Sequence, residues 1–225
     1  MSYDVVLLLS RAADVAPELG DLEPAPTTQA LADAIGHTRD WPGAAAAATS
    51  APVALRLREE LPSEERVPAL LTRVAATAAR LPCVAVWWIP AQRLIAPAAL
   101  AAAARDGDPL RVALNVRLFH VDQGAADERV MDTVGLEALG LPDVQCHFVG
   151  MDPPAIAALL DETARYLYDE GDVITDGDTI SGSDGEPWSC RREAALVDPP
   201  RDVIDIAPPA AHAPRPPGKP GKSAR

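Results

Sequence analysis

Leu110-Arg111-Val112-Ala113-Leu114-Asn115-Val116-Arg117-Leu118-Phe119-His120-Val121 alternates apolar and polar side chains more cleanly than any other part of the chain. Leu110, Val112, Leu114, Val116 and Leu118 share one parity; Arg111, Asn115 and Arg117 share the other. A period of two is the signature of a strand with one buried and one wet face. This stretch therefore predicts a half-buried strand over 110–121. A sheet with one wet face is more often antiparallel than doubly wound parallel.

Working toward the C-terminus, 124–128 can turn the chain into a partner strand over 130–136, and Val144, Cys146 and Phe148 alternate again. Asp152 then caps a helix with Pro153 in its first turn. Its stripe is Ile156, Leu159, Leu160, Thr163 and Leu167, and Gly171 ends it. Asp176-Gly177-Asp178-Thr179-Ile180 reads as a turn into a last strand near Trp188. Past Ala207 the chain is rich in proline and has no apolar period, which predicts a disordered basic tail over 207–225.

Working toward the N-terminus, Cys83–Ile89 is a nearly continuous apolar run, the pattern of a strand covered on both faces. On such a strand Trp87 and Trp88 point to opposite faces; core packing of both is the favoured reading, and a groove or interface lined by one of them is the alternative. Val67, Leu70, Leu71, Val74 and Ala78 form a helical stripe capped by Ser63, and Pro97–Arg105 is a short alanine-rich helix. Val53, Leu55 and Leu57 alternate as a strand. Thr28–Ile35 is a helix stopped by Gly36, Gly43–Ser50 an alanine-rich connection, and Tyr3–Leu9 a central strand. Together these elements predict one α+β domain over 1–206. It has an antiparallel or mixed sheet with helices on one face, and a ferredoxin-like arrangement in two halves is the specific expectation.

Composition narrows the function classes. Of 225 residues, 33 are acidic and 20 are Lys or Arg. All the acids precede Ala207, so residues 1–206 carry −17 and the tail +4. Such a body repels phosphate backbones and attracts basic partners, which predicts a protein partner and no nucleic acid. No long apolar run suggests a membrane span, and the N-terminus lacks the marks of a secretory signal, which predicts a cytoplasmic location. Cys83, Cys146 and Cys190 have no CxxC spacing and read as packed thiols.

Candidate chemistry is sparse. Asp176 and Asp178 pair two carboxylates one residue apart and could serve acid–base or cation chemistry with Glu137, Glu186 or a histidine. An EF-hand loop would need an oxygen ligand where Ile180 stands, so an Asp-stabilised turn competes with that reading. His120 is in phase with an apolar face, and His147 alternates away from Cys146, so neither suggests a metal pair. No phosphate-binding or nucleophile-elbow motif is present, and no cofactor is expected.

Several stretches resemble a bacterial family known as domain of unknown function 4261. They are Thr133-Val-Gly-Leu-Glu-Ala-Leu-Gly-Leu-Pro-Asp143-Val, Tyr166-Leu-Tyr-Asp-Glu-Gly171, Asp176-Gly-Asp-Thr-Ile180 and, more weakly, Ala85-Val-Trp-Trp-Ile-Pro90. The resemblance runs over roughly 50–195, with Val134 where the family favours an aromatic. It implies a fold and a bacterial origin, and a neighbourhood of secreted toxins. The reading that follows is a non-enzymatic protein-binding domain, an immunity protein that neutralises a basic toxin. Trp87, Trp88, Asp176, Asp178, Glu186 and Trp188 are its candidate binding residues. The other readings are a hydrolase or metal enzyme centred on Asp176 and Asp178, and an accessory subunit of a secretion machine.

Overall fold

The computed structural model describes residues 2–16, 22–60, 67–122, 124–182 and 185–214. It is an α+β fold. Where one domain is expected, the chain divides into two compact units, 1–115 with 134–141, and 116–133 with 142–225. Ser63 and the far tail, 215–225, lie outside the described residues.

The first unit is built on an antiparallel sheet. Its strands are β1 (Ser2–Leu9), β2 (Leu22–Pro24), β3 (Val53–Glu60), β4 (Cys83–Trp88) and β5 (Arg93–Ile95). They lie in the order β2-β3-β1-β4-β5, so the most apolar strand is central. Val5 through Leu9 are fully buried on both parities. On one face Val6, Leu8, Ala54, Ala85, Trp87 and Leu94 pack with Leu31 and Ala34 of helix α1 (Gln29–His37) and Ala44 of α2 (Ala44–Thr49). The opposite parity carries Tyr3, Val5, Leu7, Leu55, Leu57, Val86 and Trp88. The stripe of α3 (Val67–Arg80) is buried as its spacing predicts, and α3 packs on α4 (Pro97–Asp106), which meets β4. Both faces of this sheet are thus covered, where helices on one face are expected. The reason is the absence of a polar parity in β1 and β4.

Several local expectations shift. Gly36 lies inside α1, and the helix ends when the Thr38 N–H bonds Ile35 O. Alanine spacing in 44–49 gives a helix, not a connection, consistent with alanine's high helix propensity. Leu110–Ala113 is also helical (α5), so the opening stretch splits in two. Gly107, left-handed at φ 69°, and Pro109 at the N-cap start that turn before extension can begin. Gly135 carries a sharper constraint: at φ 136° a Cβ would stand 1.9 Å from Ala113 O.

The second unit contains a mixed sheet in the order β6-β7-β8-β11-β10-β9. These strands are β6 (Asn115–His120), β7 (Glu128–Val134), β8 (Asp143–Val149), β9 (Thr179–Ser181), β10 (Pro187–Ala194) and β11 (Asp202–Ala207). β8 and β11 run parallel, and the hairpins β7–β8, β9–β10 and β10–β11 are antiparallel. β11 falls where the sequence predicts only the approach to a tail. The described chain runs on to 214, and Val149 N donates to His212 O at 2.8 Å, which ties the segment around His212 back to β8. Of the stretch expected as a tail over 207–225, residues 207–214 are described, and Ala207 ends β11. Neither unit follows the βαββαβ order of a ferredoxin-like half.

Helix α6 (Pro153–Glu170) buries Ile156, Leu159, Leu160, Thr163 and Leu167 as predicted, with Gly171 at its C-cap. Asp152 holds the N-cap position in extended backbone but makes no side-chain cap bond. Beneath the helix lies the apolar parity of the sheet: Met131, Val144, Cys146, Phe148, Trp188, Cys190, Ile204 and Ile206.

Candidate functional site

The other parity of the second sheet is polar, and it holds the densest charge chemistry among the described residues. Arg117 of β6, Asp132 of β7, and Asp143, Gln145 and His147 of β8 alternate against the apolar residues, joined by Glu128, Asp205 and Glu193. The alternation at 115–118 is real, but its burial is not as predicted: Arg117 is 2% exposed, whereas Val116 and Leu118 are half-buried at the sheet edge. An arginine cannot be buried alone; it is tolerated because partners are built in.

Those partners form a closed network. Arg117 grips Asp132 with Nε at 3.0 Å and Nη2 at 2.5 Å. Arg201 reaches the same Asp132 Oδ2 at 2.6 Å and Asp143 at 3.2 Å. Thr133 Oγ1 donates to Asp143 at 3.0 Å and accepts from Val144 N at 2.9 Å. The loop after β10 closes over this end: carbonyls of Val197, Asp198 and Pro199 accept from the two arginines. No buried side-chain nitrogen or oxygen of Arg117, Asp132, Thr133, Asp143 or Arg201 lacks a hydrogen-bond partner, the condition under which buried charge is stable.

At the other end the strip opens. Glu128 accepts from Ala125 N at 2.8 Å with one oxygen and meets His147 Nε2 at 3.0 Å with the other. Gln145 Nε2 donates to Asp205 at 3.1 Å, and its Oε1 accepts from Leu196 N. Burial pushes the Asp205 carboxyl upward; the Gln145 bond opposes this, Glu193 adds to it, and His147 and Arg191 lower it. Because its protonated form is favoured by folding, Asp205 stabilises the fold at acid pH and loses that contribution as pH rises through its raised value.

The expected site residues are scattered rather than convergent. Trp87 is 5% exposed and Trp88 fully buried, on opposite faces of the first sheet; Trp88 Nε1 donates to Tyr3 Oη at 2.8 Å. Trp188 is buried in the second unit, with Gly182 so close to its ring that a Cβ would clash. Glu186 is exposed in the hairpin before it. Asp176 accepts from Arg192 N at 2.6 Å, and Asp178 accepts from both Thr175 N and Thr175 Oγ1. Bonds to the Thr175 amide and hydroxyl hold the Asp178 carboxyl below its usual range, so it stabilises the turn above that range and loses the contribution as pH falls. Both aspartates are thus engaged by the turn that leads into β9 and by the backbone of β10. Among the described residues no group of three or more His, Cys, Asp and Glu is placed to hold a metal ion.

The three thiols are unpaired. Burial pushes Cys83 up to about 12 and raises Cys146 and Cys190 as well, with nearby carboxylates adding at both. A thiol so raised is a poor nucleophile. Sequence reasoning missed Arg117, Asp132, Asp143 and Arg201 as a unit. The available signal was an arginine on each of two short segments with acids at strand parity.

No helix among the described residues is long and apolar enough to cross a membrane. No curated protein and no solved structure matches the chain. The match that exists begins at Asp132 and takes in β8, α6, the Asp176–Asp178 turn and all of β11, later in the chain than 50–195. Over residues 132–207, the chain matches the family model Domain of unknown function (DUF4261), a bacterial domain.

Proposed function

We propose that this is a non-enzymatic protein-binding domain of the bacterial cytoplasm, an immunity protein that neutralises a basic toxin. One observation supports this most. The buried charged side chains among the described residues are Arg117, Arg201, Asp132 and Asp143, two of each sign. The core is neutral, so the surplus of acid over base lies outside it. An acidic exterior of that size speeds association with a basic partner and disfavours nucleic acid. The immunity role rests on the resemblance and on that charge.

The test is affinity capture with the full chain at low ionic strength in the native host, followed by mass spectrometry. The expected result is one stoichiometric basic protein whose toxicity is relieved by co-expression of this chain. Recovery of no stoichiometric partner, or of an acidic one, contradicts the reading.

A further inference from the structure

We infer that the outer face of α6 and the loop after it form the docking surface, and that its occupant is a basic protein segment carrying apolar side chains. The inference rests on the protein-binding reading above and locates it. Glu162, Tyr166 and Glu170 recur at four-residue spacing on α6, with Asp169 beside them, and all are exposed. Tyr166 is 51% exposed and Val173, just beyond the helix, 47%.

The exposure of Val173 is enforced. Ile174 turns inward, 5% exposed, while Arg192 bonds both Asp172 and the Ile174 carbonyl, pinning the loop on either side of Val173. The charge is also of the wrong sign for the helix alone. The last turn of α6 has no basic residue, and Asp169 and Glu170 sit at the negative end of the helix dipole. Arg165, the helix's only cation, is paired with Asp161 at 2.7 Å. Acids that weaken their own helix gain from an external cation, and a tyrosine among them supplies the aromatic anchor typical of interface centres.

The experiment uses the full chain and three labelled synthetic peptides of equal length: arginine–leucine, arginine–serine and glutamate–leucine. Anisotropy gives affinity, and amide chemical shifts map the site. The arginine–leucine peptide should bind tightest and shift amides over 162–173. Tyr166→Ser should weaken it about ten-fold while leaving arginine–serine nearly unchanged. The double variant Asp169→Asn/Glu170→Gln should weaken both arginine peptides yet raise Tm by about 1–3 °C, because it relieves the dipole. Binding down with stability up separates a docking role from a structural one.

Arginine–leucine binding with unchanged affinity in both variants, or shifts confined elsewhere, overturns this surface and leaves the protein-binding reading standing. Arginine peptides no tighter than glutamate–leucine at low salt overturn both. If deleting 215–225 moves the α6 amides in the absence of peptide, the occupant is the chain's own basic tail, and the partner assignment falls.

Discussion

The two sheets bury their strands by different means. In the first, β1 is apolar on both parities and its faces are closed by side chains such as Leu8, Trp87 and Trp88. In the second, one parity of β8 is apolar and the other carries Asp143, Gln145 and His147, closed by ion pairs and by the loop at 195–201. Dispersion and hydrophobic burial tolerate approximate shape. A buried ionic network tolerates no missing member.

That difference predicts unequal responses to conservative change. Asp132→Ala leaves Arg117 and Arg201 buried without their shared carboxylate and should cost about 3–5 kcal/mol. Asp132→Asn, with the same shape and no charge, should lose most of that as well. Hydrogen exchange of β8 amides reads the loss within the second unit. Leu8→Ala in the first sheet should cost about 2–5 kcal/mol through its cavity, but Leu8→Met less than about 1.5 kcal/mol. Equal tolerance of Asp132→Asn and Leu8→Met would erase the distinction.

What could be read in the sequence follows the same division. The stripes of α3 and α6 and the alternation of Val144, Cys146 and Phe148 emerge as expected, because hydrophobic periodicity is local. The double burial of Trp87 and Trp88 follows from the apolar run around them. Arg117 does not, because its burial depends on Asp132, 15 residues away, and on Arg201, which sits 69 residues from Asp132. No window of helical or strand length contains both ends of such a pair. The candidate residues fared similarly: Asp176 and Asp178 draw attention by proximity in sequence, whereas Glu128, His147 and Asp205 meet only across strands. Tyr166 lies inside a stretch quoted for the family resemblance, but its exposure depends on which face α6 buries.

A smaller effect sharpens the comparison at the open end of the polar strip. Asp205→Asn keeps an acceptor for Gln145 and removes a carboxyl whose ionised form is penalised by burial. It should raise Tm at neutral pH by about 1–3 °C and leave stability at acid pH nearly unchanged. The sign follows from the raised carboxyl: deprotonation opposes folding, so the wild type alone should lose stability as pH climbs through that range. A fall in Tm at neutral pH would place Asp205 in a favourable ion pair instead.

On the proposed reading, a neutral core leaves an acidic exterior that recruits a basic protein. Calorimetric titration of the captured partner into the full chain, from low to high NaCl, tests it most directly. Exposed charges lose most of their attraction once the Debye length falls below about 10 Å, near 0.1 M salt. Affinity should fall by at least about ten-fold across that range. An affinity independent of salt would contradict it.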